Sequence, residues 1–535
     1  MRLIKAFTII ILLLFLSVNF NNILANKIDN QIQTCNNQYN MVIITSKSLI
    51  DGFRPLVNRH EEDGLNTLCY PVEEIYKNYE GVDNTEKIRN FIRFSYQTYG
   101  IEYVLLGGDC QIIPNRNLYL AKEWINYDMH YYTGPSDTYY SCLDGSYNSD
   151  KDEYWGEPND GENGEDVDLN AEVYVGRACV DGESDVDNFV SKTISYMDAD
   201  DYYLSKVLLV GEWYAHTGPL KWFGNDLDNL IDSCNQHDFT TTGIPSNKFM
   251  ISKLYDRDIA PRTWDKSEVK DLIDTNYHII NHGGHSWYNL NMRMNNQDAR
   301  SLSNDKPSFI YSYGCMAGGF DNPEGYDCIA EDFTVKTNNG AFAGIWNSRN
   351  GKVSGPLREG PSLRYNREFW DAVFGEKILT ISKAHQDSKE DNIRFINEKD
   401  MRWCYYQLNY FGDPAISFHI PDKINYPPET PILTYNKDEI ILNVSSCDPE
   451  EHQIRYGISW KNNGNINKWT AKYYESGKNV TIDCQGHKGT IGVIAEDIFG
   501  GQSPWSTIEV NSKTRIFKLF DNIILRLPLL KLFSD

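Results

Sequence analysis

Residues 277–286 read YHIINHGGHS and residues 308–319 read SFIYSYGCMAGG. Each stretch opens with an apolar run, 277–281 and 309–313, in which β-branched and aromatic residues crowd a short segment before glycine, so each run predicts a short buried strand. An imidazole follows the first predicted strand and a thiol follows the second. Because functional sites in parallel α/β sheets lie beyond the carboxyl ends of the strands, the two stretches predict one site.

The residue types at these two strand ends suit acyl transfer. A cysteine attacks a carbonyl carbon as its thiolate, and a nearby histidine can hold the proton and return it to a leaving amine. Glycines 283, 284 and 314 would let a peptide approach the backbone. Free N–H groups after the histidine and at Cys315 would form an oxyanion hole, in which one donor is worth about 3 kcal/mol. The competing interpretation is a buried structural cysteine between glycine turns.

Short apolar runs alternate with amphipathic segments over residues 41–420, which predicts a mostly parallel α/β sheet. One helix is predicted between a cap at Thr85 and a terminator at Gly100, and another from the apolar stripe over 186–197. A loop-rich gap around 141–170 divides the region into two predicted halves, 41–200 and 201–420. The predicted strands are Val42–Thr45, Tyr103–Leu106, Val207–Val210, His278–Asn281, Phe309–Tyr313 and Ala341–Trp346.

The composition changes after residue 420. Residues 421–431 are proline-rich and predict a stiff linker. Residues 432–512 read as short alternating strands with three tryptophans available for a core, so we expect an all-β sandwich there. The final segment, 513–535, is dense in Ile, Leu and Phe but interrupted by charges. This favours an amphipathic tail that contacts a cell surface, a membrane interface or a partner; a disordered tail is the alternative.

Residues 1–25 carry two basic residues before an apolar run, the pattern of a secretory signal peptide. The run is too short for a membrane span, which needs about 20 apolar residues. Residues 26–40 are then a spacer, and we expect a secreted or cell-surface protein; an uncleaved anchor is the alternative. All eleven cysteines lie beyond residue 25. Export favours some disulfide pairing among the ten that remain when Cys315 is set aside.

The 535-residue chain has a formal net charge of −24 and a pI near 4.9. We expect no nucleic-acid partner, because phosphate binding needs clustered Lys and Arg. Ten acidic residues stand against one lysine over 144–168. Asn148, Asp150 and Asp152 alternate and Glu157 follows, which predicts oxygen ligands around a hard cation such as Ca²⁺. The spacing is not that of an EF-hand, and a solvated acidic loop is the alternative.

The two strand-end stretches resemble the gingipain-type family of caspase-like cysteine peptidases, in which the catalytic His and Cys follow neighbouring strands in this order. Three further segments look like landmarks of that family: Glu172–Arg177, Ser136–Tyr140 and Phe411–Pro414. The resemblance covers about residues 41–420. It implies two caspase-like subdomains of which only the second is catalytic, and a fold that calcium supports. Residues 432–512 resemble fibronectin type III or related immunoglobulin-like modules.

The resemblance implies roles for individual residues. Cys315 matches the nucleophile, and Glu212, which follows the predicted strand 207–210, matches the acid that orients the histidine; a surface Glu at a turn is the alternative. His282 carries a simple His-Gly signature, whereas alignment on the family pattern favours His285 as the base. Ser286 departs from that pattern, which has glycine after the histidine.

These observations predict an exported cysteine endopeptidase that acts on protein or peptide substrates through a thioester acyl-enzyme. Three alternatives remain open. One is a transpeptidase that uses the same Cys/His dyad, and another is a non-catalytic cell-surface binding protein on the same scaffold. The third is a metal hydrolase that uses His282, His285 and Cys315. Cleavage specificity is not predicted, because residues 219–226 do not align securely with the segment that carries an S1 acid in the family's arginine-specific members.

Overall fold

A computed structural model describes residues 38–510, with gaps at 126–127, 201, 215–221, 354–359, 423, 437–440, 463 and 485–486. The predicted signal peptide, most of the spacer, the predicted tail and part of residues 219–226 lie outside the described residues. Within the described ranges, no helix combines the length and the apolar character that crossing a membrane requires. All ten cysteines in these ranges are free thiols, and Cys35 lies outside them.

Sixteen strands are described between residues 41 and 411. They are β1 (Met41–Thr45), β2 (Thr67–Pro71), β3 (Tyr103–Gly107), β4 (Arg116–Ile125), β5 (Asp128–Ser136), β6 (Tyr174–Ala178), β7 (Lys206–Gly211), β8 (Ser233–Cys234), β9 (Thr241–Thr242), β10 (Met250–Tyr255), β11 (Ile279–Gly283), β12 (Leu290–Asn291), β13 (Met294–Asn295), β14 (Ser308–Ser312), β15 (Ala341–Asn347) and β16 (Leu408–Phe411).

Thirteen α-helices are described in the same region. They are α1 (Arg54–Glu62), α2 (Val72–Asn78), α3 (Asn84–Tyr99), α4 (Thr138–Ser141), α5 (Glu183–Met197), α6 (Phe223–Asp228), α7 (Asp256–Ile259), α8 (Lys266–Ile273), α9 (Asn296–Arg300), α10 (Ile329–Thr334), α11 (Pro361–Phe374), α12 (Ile381–Glu390) and α13 (Met401–Gln407).

Ten strands form one sheet in the order β10-β7-β11-β14-β15-β16-β6-β3-β1-β2. Only the β15–β16 pairing is antiparallel among the described strands of this sheet, which confirms the predicted mostly parallel α/β fold. The two predicted halves share this sheet instead of each having its own. The reason is β16, which comes late in the chain and pairs with β15 of the second half and β6 of the first.

Both faces of the sheet are covered, as is usual for parallel strands. Val42 and Ile44 of β1 bury in one hydrophobic cluster and Ile43 in another, because successive side chains of a strand point to opposite faces. The predicted helix near Thr85 is α3, but its cap is Asp83, whose carboxylate accepts the N–H of Glu86 at 2.9 Å. Asp83 has the extended backbone that a cap requires, whereas Thr85 already lies inside the helix.

The segments that look like family landmarks meet at the join between the two halves. The carboxylate of Asp137 accepts two hydrogen bonds from the buried guanidinium of Arg177, at 2.7 and 2.8 Å. The carbonyl of Arg177 accepts the N–H of Gly412. Asp413 lies 2.7 Å from Nε2 of His60, which brings α1 to the same place. The landmark residues therefore hold β16 against β6.

Residues 432–510 form two antiparallel sheets, β17-β18-β21 and β20-β19-β22-β23. Their strands are β17 (Ile432–Asn436), β18 (Ile441–Ser445), β19 (Ile454–Ser459), β20 (Lys468–Trp469), β21 (Val480–Asp483), β22 (Gly489–Asp497) and β23 (Ser506–Val510). The shared core is mainly aliphatic, and of the three tryptophans only Trp460 packs against it. The likeness to fibronectin or immunoglobulin modules remains a prediction.

Candidate active site

The loops that carry the predicted catalytic histidine and cysteine follow adjacent strands of the central sheet. β11 and β14 pair in parallel from Ile279 opposite Phe309 to His282 opposite Ser312. The N–H of Tyr313 then donates to the carbonyl of His282 at 3.3 Å, which extends the pairing by one step. Strands in equal register end at the same edge, so residues 284–286 and 313–316 emerge side by side.

Gly314 is in direct contact with residues 284–286, which we call the histidine loop. A methyl group at Gly314 would overlap the Oγ of Ser286 and would lie 3.1 Å from the carbonyl oxygen of Gly284. The residues on either side of His285 therefore touch the residue that precedes Cys315. This contact brings together the loops that carry the predicted base and nucleophile.

The Cys315 thiol is half-buried. Burial raises the pKa of Cys315, and two groups partly oppose that effect: the N–H of Gly351, which donates to Sγ, and the positive charge of Lys352. Since burial prevails, the thiol is protonated at neutral pH before substrate binds. Attack by this sulfur therefore calls for a base.

The backbone turns sharply after the cysteine. Met316 has a φ of 55°, in the left-handed region that non-glycine residues avoid. Its N–H donates to the carbonyl of Arg349 at 2.9 Å, and Asn347 donates to the carbonyl of Gly314 at 3.0 Å. Such a conformation costs roughly 1–3 kcal/mol and persists where its surroundings fix it. Here Asn347, at the end of β15, and Arg349, just after it, hold the turn.

The first half of the chain supports this turn through the β4–β5 hairpin. The guanidinium of Arg349 donates to the carbonyl of Thr133 at 3.1 Å, and Ser348 donates to the carbonyl of Pro135 at 3.1 Å. Arg349 also pairs with Asp321 at 2.6 Å. The half without the predicted catalytic residues thus contacts the residue that fixes the turn after Cys315.

His282 is fully buried, and both of its nitrogens have partners. Nε2 lies 3.1 Å from the carboxylate of Glu212, and Nδ1 lies 2.9 Å from Oγ of Ser312. The amide of Asn291 donates to the hydroxyl oxygens of Ser312 and Ser286, each at 2.9 Å. His282 is therefore the centre of a buried polar network beneath the histidine loop.

His285 is exposed and has a different partner. Its Nε2–H donates to the carbonyl of Trp213 at 3.2 Å, and its ring meets the edges of Trp213 and Phe223. This bond fixes the tautomer in which Nδ1 is the free base. Together with Cys315 and His282, His285 forms no group of potential metal ligands among the described residues, which gives the metal-hydrolase alternative no support.

Glu212 lies at the predicted strand end, and the structure brings its carboxylate to His282, not to His285. The N–H of Glu212 donates to the carbonyl of Gly283 at 3.0 Å, so the acid sits beside the last residues of β11. His282 still belongs to that strand, whereas His285 has left it. The next residue, Trp213, is the one whose carbonyl reaches His285.

Two further residues near this network, Arg293 and Asp256, carry no signal in the sequence. Arg293 lies 3.7 Å from Glu212 and 2.5 Å from the buried carboxylate of Asp256. It stands in the turn between β12 and β13, where Met292 and Arg293 have φ values of 50° and 59°. Such turns usually carry Asn-Gly, so Met-Arg gives no turn signal.

The predicted calcium ligands converge in part. Carboxylate oxygens of Asp150, Asp152 and Glu157 lie within 4.8 Å of one another. Asn148 donates to the carbonyl of Asp152 at 3.0 Å, and its own Oδ1 is buried without a hydrogen-bond partner among the described residues. Burial, and then the charge of Asp152, raise the pKa of Glu157. Three converging carboxylates offer the oxygen ligands that a hard cation prefers.

A thiol and an imidazole at neighbouring strand ends of a mixed α/β sheet define a cysteine peptidase of the caspase-like type. The model of peptidase family C25 matches residues 34–419, and the chain belongs to this family. It is a cysteine-type peptidase, and its substrates are proteins or peptides.

Solved structures of the same fold are known. The Arg-specific cysteine proteinase gingipain R is 16% identical, with a TM-score of 0.52 over 90% of this chain and 99% of that chain. The complex of pro- and mature domains of RgpB from Porphyromonas gingivalis is 17% identical, with a TM-score of 0.51 over 88% and 100%. At these identities the likeness establishes the fold alone. No curated protein matches the chain.

Proposed function

We propose that this peptidase is an exported endopeptidase that cleaves through a thioester on Cys315, with His285 as general base and then general acid. The contact of Gly314 with the loop of Gly284 and Ser286 carries the proposal, because it joins the loops of the two catalytic residues. The exposure of His285 supports its role, since a base must meet the substrate.

The reaction proceeds in two stages. His285 takes the proton of Cys315, and the sulfur attacks the carbonyl carbon of the scissile peptide bond. The C–N bond of the tetrahedral intermediate breaks as the imidazolium gives its proton to the departing amine, which leaves an acyl-thioester. Water, deprotonated by His285, then attacks the thioester and releases the acid and the thiol.

Two backbone N–H groups are suited to hold the oxyanion. Neither the N–H of Cys315 nor that of Ser286 donates to a protein acceptor among the described residues. Serine in place of the family's glycine at 286 keeps this donor, and its side chain is fixed by Asn291. One such donor contributes about 3 kcal/mol to the stabilisation of the transition state.

Glu212 and His282 act as positioning residues in this proposal. Their buried hydrogen bond fixes the end of β11, and the histidine loop follows directly after it. Gly284 packs against both side chains, since a methyl group there would lie 2.6 Å from Cγ of Glu212 and would overlap the ring of His282. The pair therefore determines where His285 stands without touching the substrate.

Calcium is proposed as a structural ion in the loop of Asn148, Asp150, Asp152 and Glu157. These residues offer only oxygen ligands, which Ca²⁺ prefers, and the ion would supply charge neutralisation to three carboxylates. Export is proposed from the apolar run of residues 1–25, and the 513–535 segment is proposed to contact a cell surface or membrane interface.

The test combines three readouts on the purified chain: cleavage of a peptide panel, labelling by a thiol-directed probe, and thermal unfolding. Cys315→Ala should lose cleavage and labelling with an unchanged melting temperature. Cys234→Ala, which removes a thiol outside the site, is the control. A Cys315→Ala variant with wild-type turnover would disprove the mechanism. Products formed with an added amine distinguish hydrolysis, which we expect, from transpeptidation.

A further inference from the structure

A cavity of about 450 Å³ lies where the sheet domain meets the C-terminal sandwich. The N–H of Tyr202 donates to the carbonyl of Phe499 at 2.7 Å, a direct bond between the two domains at the cavity wall. Asp200 and Asp422 also line the cavity, and no lysine or arginine is found among its described lining residues. Two carboxylates therefore line the described part of this junction.

His452 lines this cavity and belongs to a cluster of three potential metal ligands in the β18–β19 loop. Ligand atoms of Asp448, Glu450 and His452 all lie within 4.8 Å of one another. Nδ1 of His452 is 3.3 Å from Oδ1 of Asp448. That same Oδ1 accepts the N–H groups of Glu450 and His452, each at 3.0 Å, so the loop is already shaped before any ligand binds.

The second oxygen of Asp448 is the observation that points to a ligand. Asp448 is only 4% exposed, and its Oδ2 is buried without a hydrogen-bond partner among the described residues. Oδ1 of Asn425, in the linker, is also buried without a hydrogen-bond partner among the described residues. An unpaired carboxylate oxygen is costly to bury, and a bound cation removes that cost.

A third carboxylate adds to the negative charge beside the cluster. Asp497, at the end of β22, is fully buried and accepts hydrogen bonds from Asn425 at 2.8 Å and from the N–H of Phe499 at 2.8 Å. No described lysine or arginine forms an ion pair with Asp448, Glu450 or Asp497.

We propose that Asp448, Glu450 and His452 bind a divalent cation at the junction of the two domains. Two carboxylates and one imidazole suit an ion of the Zn²⁺ or Mn²⁺ type, because Ca²⁺ prefers sets made of oxygen alone. The ring of His452 packs against Phe499, whose carbonyl binds Tyr202. Binding of the ion would therefore fix the sandwich against the peptidase domain.

The test uses the full chain with Cys315→Ala, to prevent self-cleavage, and with Asp150→Asn and Asp152→Asn, to remove the other acidic loop. Metal-free protein is titrated calorimetrically with ZnCl₂, MnCl₂ and CaCl₂. We expect one equivalent of zinc or manganese to bind and to raise the melting temperature. Glu450→Gln and His452→Gln should each weaken binding at least tenfold, whereas the exposed neighbour Glu451→Gln should not.

Three results would overturn the proposal. One is the absence of stoichiometric binding by any of the three ions. Another is binding of zinc or manganese that survives both Glu450→Gln and His452→Gln. The third is binding of calcium alone with no effect of His452→Gln, because the imidazole would then not be a ligand.

Discussion

His282 and His285 stand three residues apart, and we expect their alanine variants to fail in different ways. His285→Ala should lower kcat by about 10²–10⁴-fold with little change in melting temperature, since its ring is exposed and serves proton transfer. His282→Ala should lower stability by about 3–5 kcal/mol, because it leaves the buried carboxylate of Glu212 without its partner. Kinetics and thermal unfolding of both variants check the prediction.

A variant that restores hydrogen bonding at 282 sharpens this comparison. His282→Gln keeps polar atoms in the buried network and should recover part of the lost stability, whereas His285→Gln should stay inactive. The prediction is wrong if His282→Ala is inactive with an unchanged melting temperature.

Lys352 offers a pH-dependent test of the thiol. Burial raises the pKa of Cys315 and the Lys352 charge lowers it, so Lys352→Gln should raise it further. The thiolate is the reactive form, and alkylation should become faster as pH rises. In the variant the whole rate profile should move to higher pH. The measurement is the rate of iodoacetamide labelling at Cys315 against pH, with the exposed Lys399→Gln as control; coincident profiles would contradict it.

At the level of single residues, the sequence predicts some roles in the site but not the contacts between side chains. The sequence predicts Cys315 as the nucleophile because it follows an apolar run that ends in glycine, whereas the family pattern favours His285 over His282 as the base. The partner of Glu212 could not be predicted, because the two histidines stand three residues apart and only the end of β11 decides which of them faces β7. The contacts of Arg293 with Glu212 and Asp256 depend on a left-handed turn, and the sequence of that turn carries no turn signal.

Among the secondary-structure elements, the acidic loop between α4 and β6 carries its own prediction. A cation that binds the folded chain at 100 times its Kd adds about 2.7 kcal/mol to the free energy of unfolding, so EGTA should lower the melting temperature by several degrees. Asp150→Asn with Asp152→Asn should show the lower melting temperature without EGTA, because these carboxylates converge with Glu157. Glu153→Gln, outside that group, is the control. Equal melting curves with and without calcium would contradict the site.

The strands that could be predicted from the sequence are those with short runs dense in β-branched and other apolar residues. All six predicted strands are observed, with ends shifted by at most two residues. β2, β6, β10 and β16 were not identified. β10 reads MISKLY and exposes polar residues at the sheet edge, while β16 has four residues directly after α13 and no turn signal before it. Their strand conformation comes from their neighbours in the sheet, which a local pattern does not contain.

For the whole molecule, the contact between the halves should matter for catalysis. Arg349 binds Thr133 of the β4–β5 hairpin and Asp321, and its carbonyl holds the N–H of Met316. Arg349→Lys keeps the charge but loses the paired donors of the guanidinium. We expect kcat to fall about tenfold, with a small change in melting temperature, since a slight misplacement of the nucleophile is costly.

Steady-state kinetics of Arg349→Lys check this prediction, with Arg402→Lys as the control because its guanidinium donates to Tyr406 and Asn397 instead. Thr133 contributes only its carbonyl, so Thr133→Ser should retain activity. An Arg349→Lys enzyme with wild-type kcat would mean that the hairpin does not position the nucleophile.

The position of β16 also sets the order in which the enzyme can be assembled as it is made. This strand closes the gap between β15 and β6, yet it is the last of the ten to be synthesised. At about 5–20 residues per second, β6 leaves the ribosome about 10–50 s before β16 does. Until then the first half has no neighbour on that side, and the nascent chain carries its thiol without the finished sheet. A protease built in this way cannot reach its active form before β16 has been synthesised.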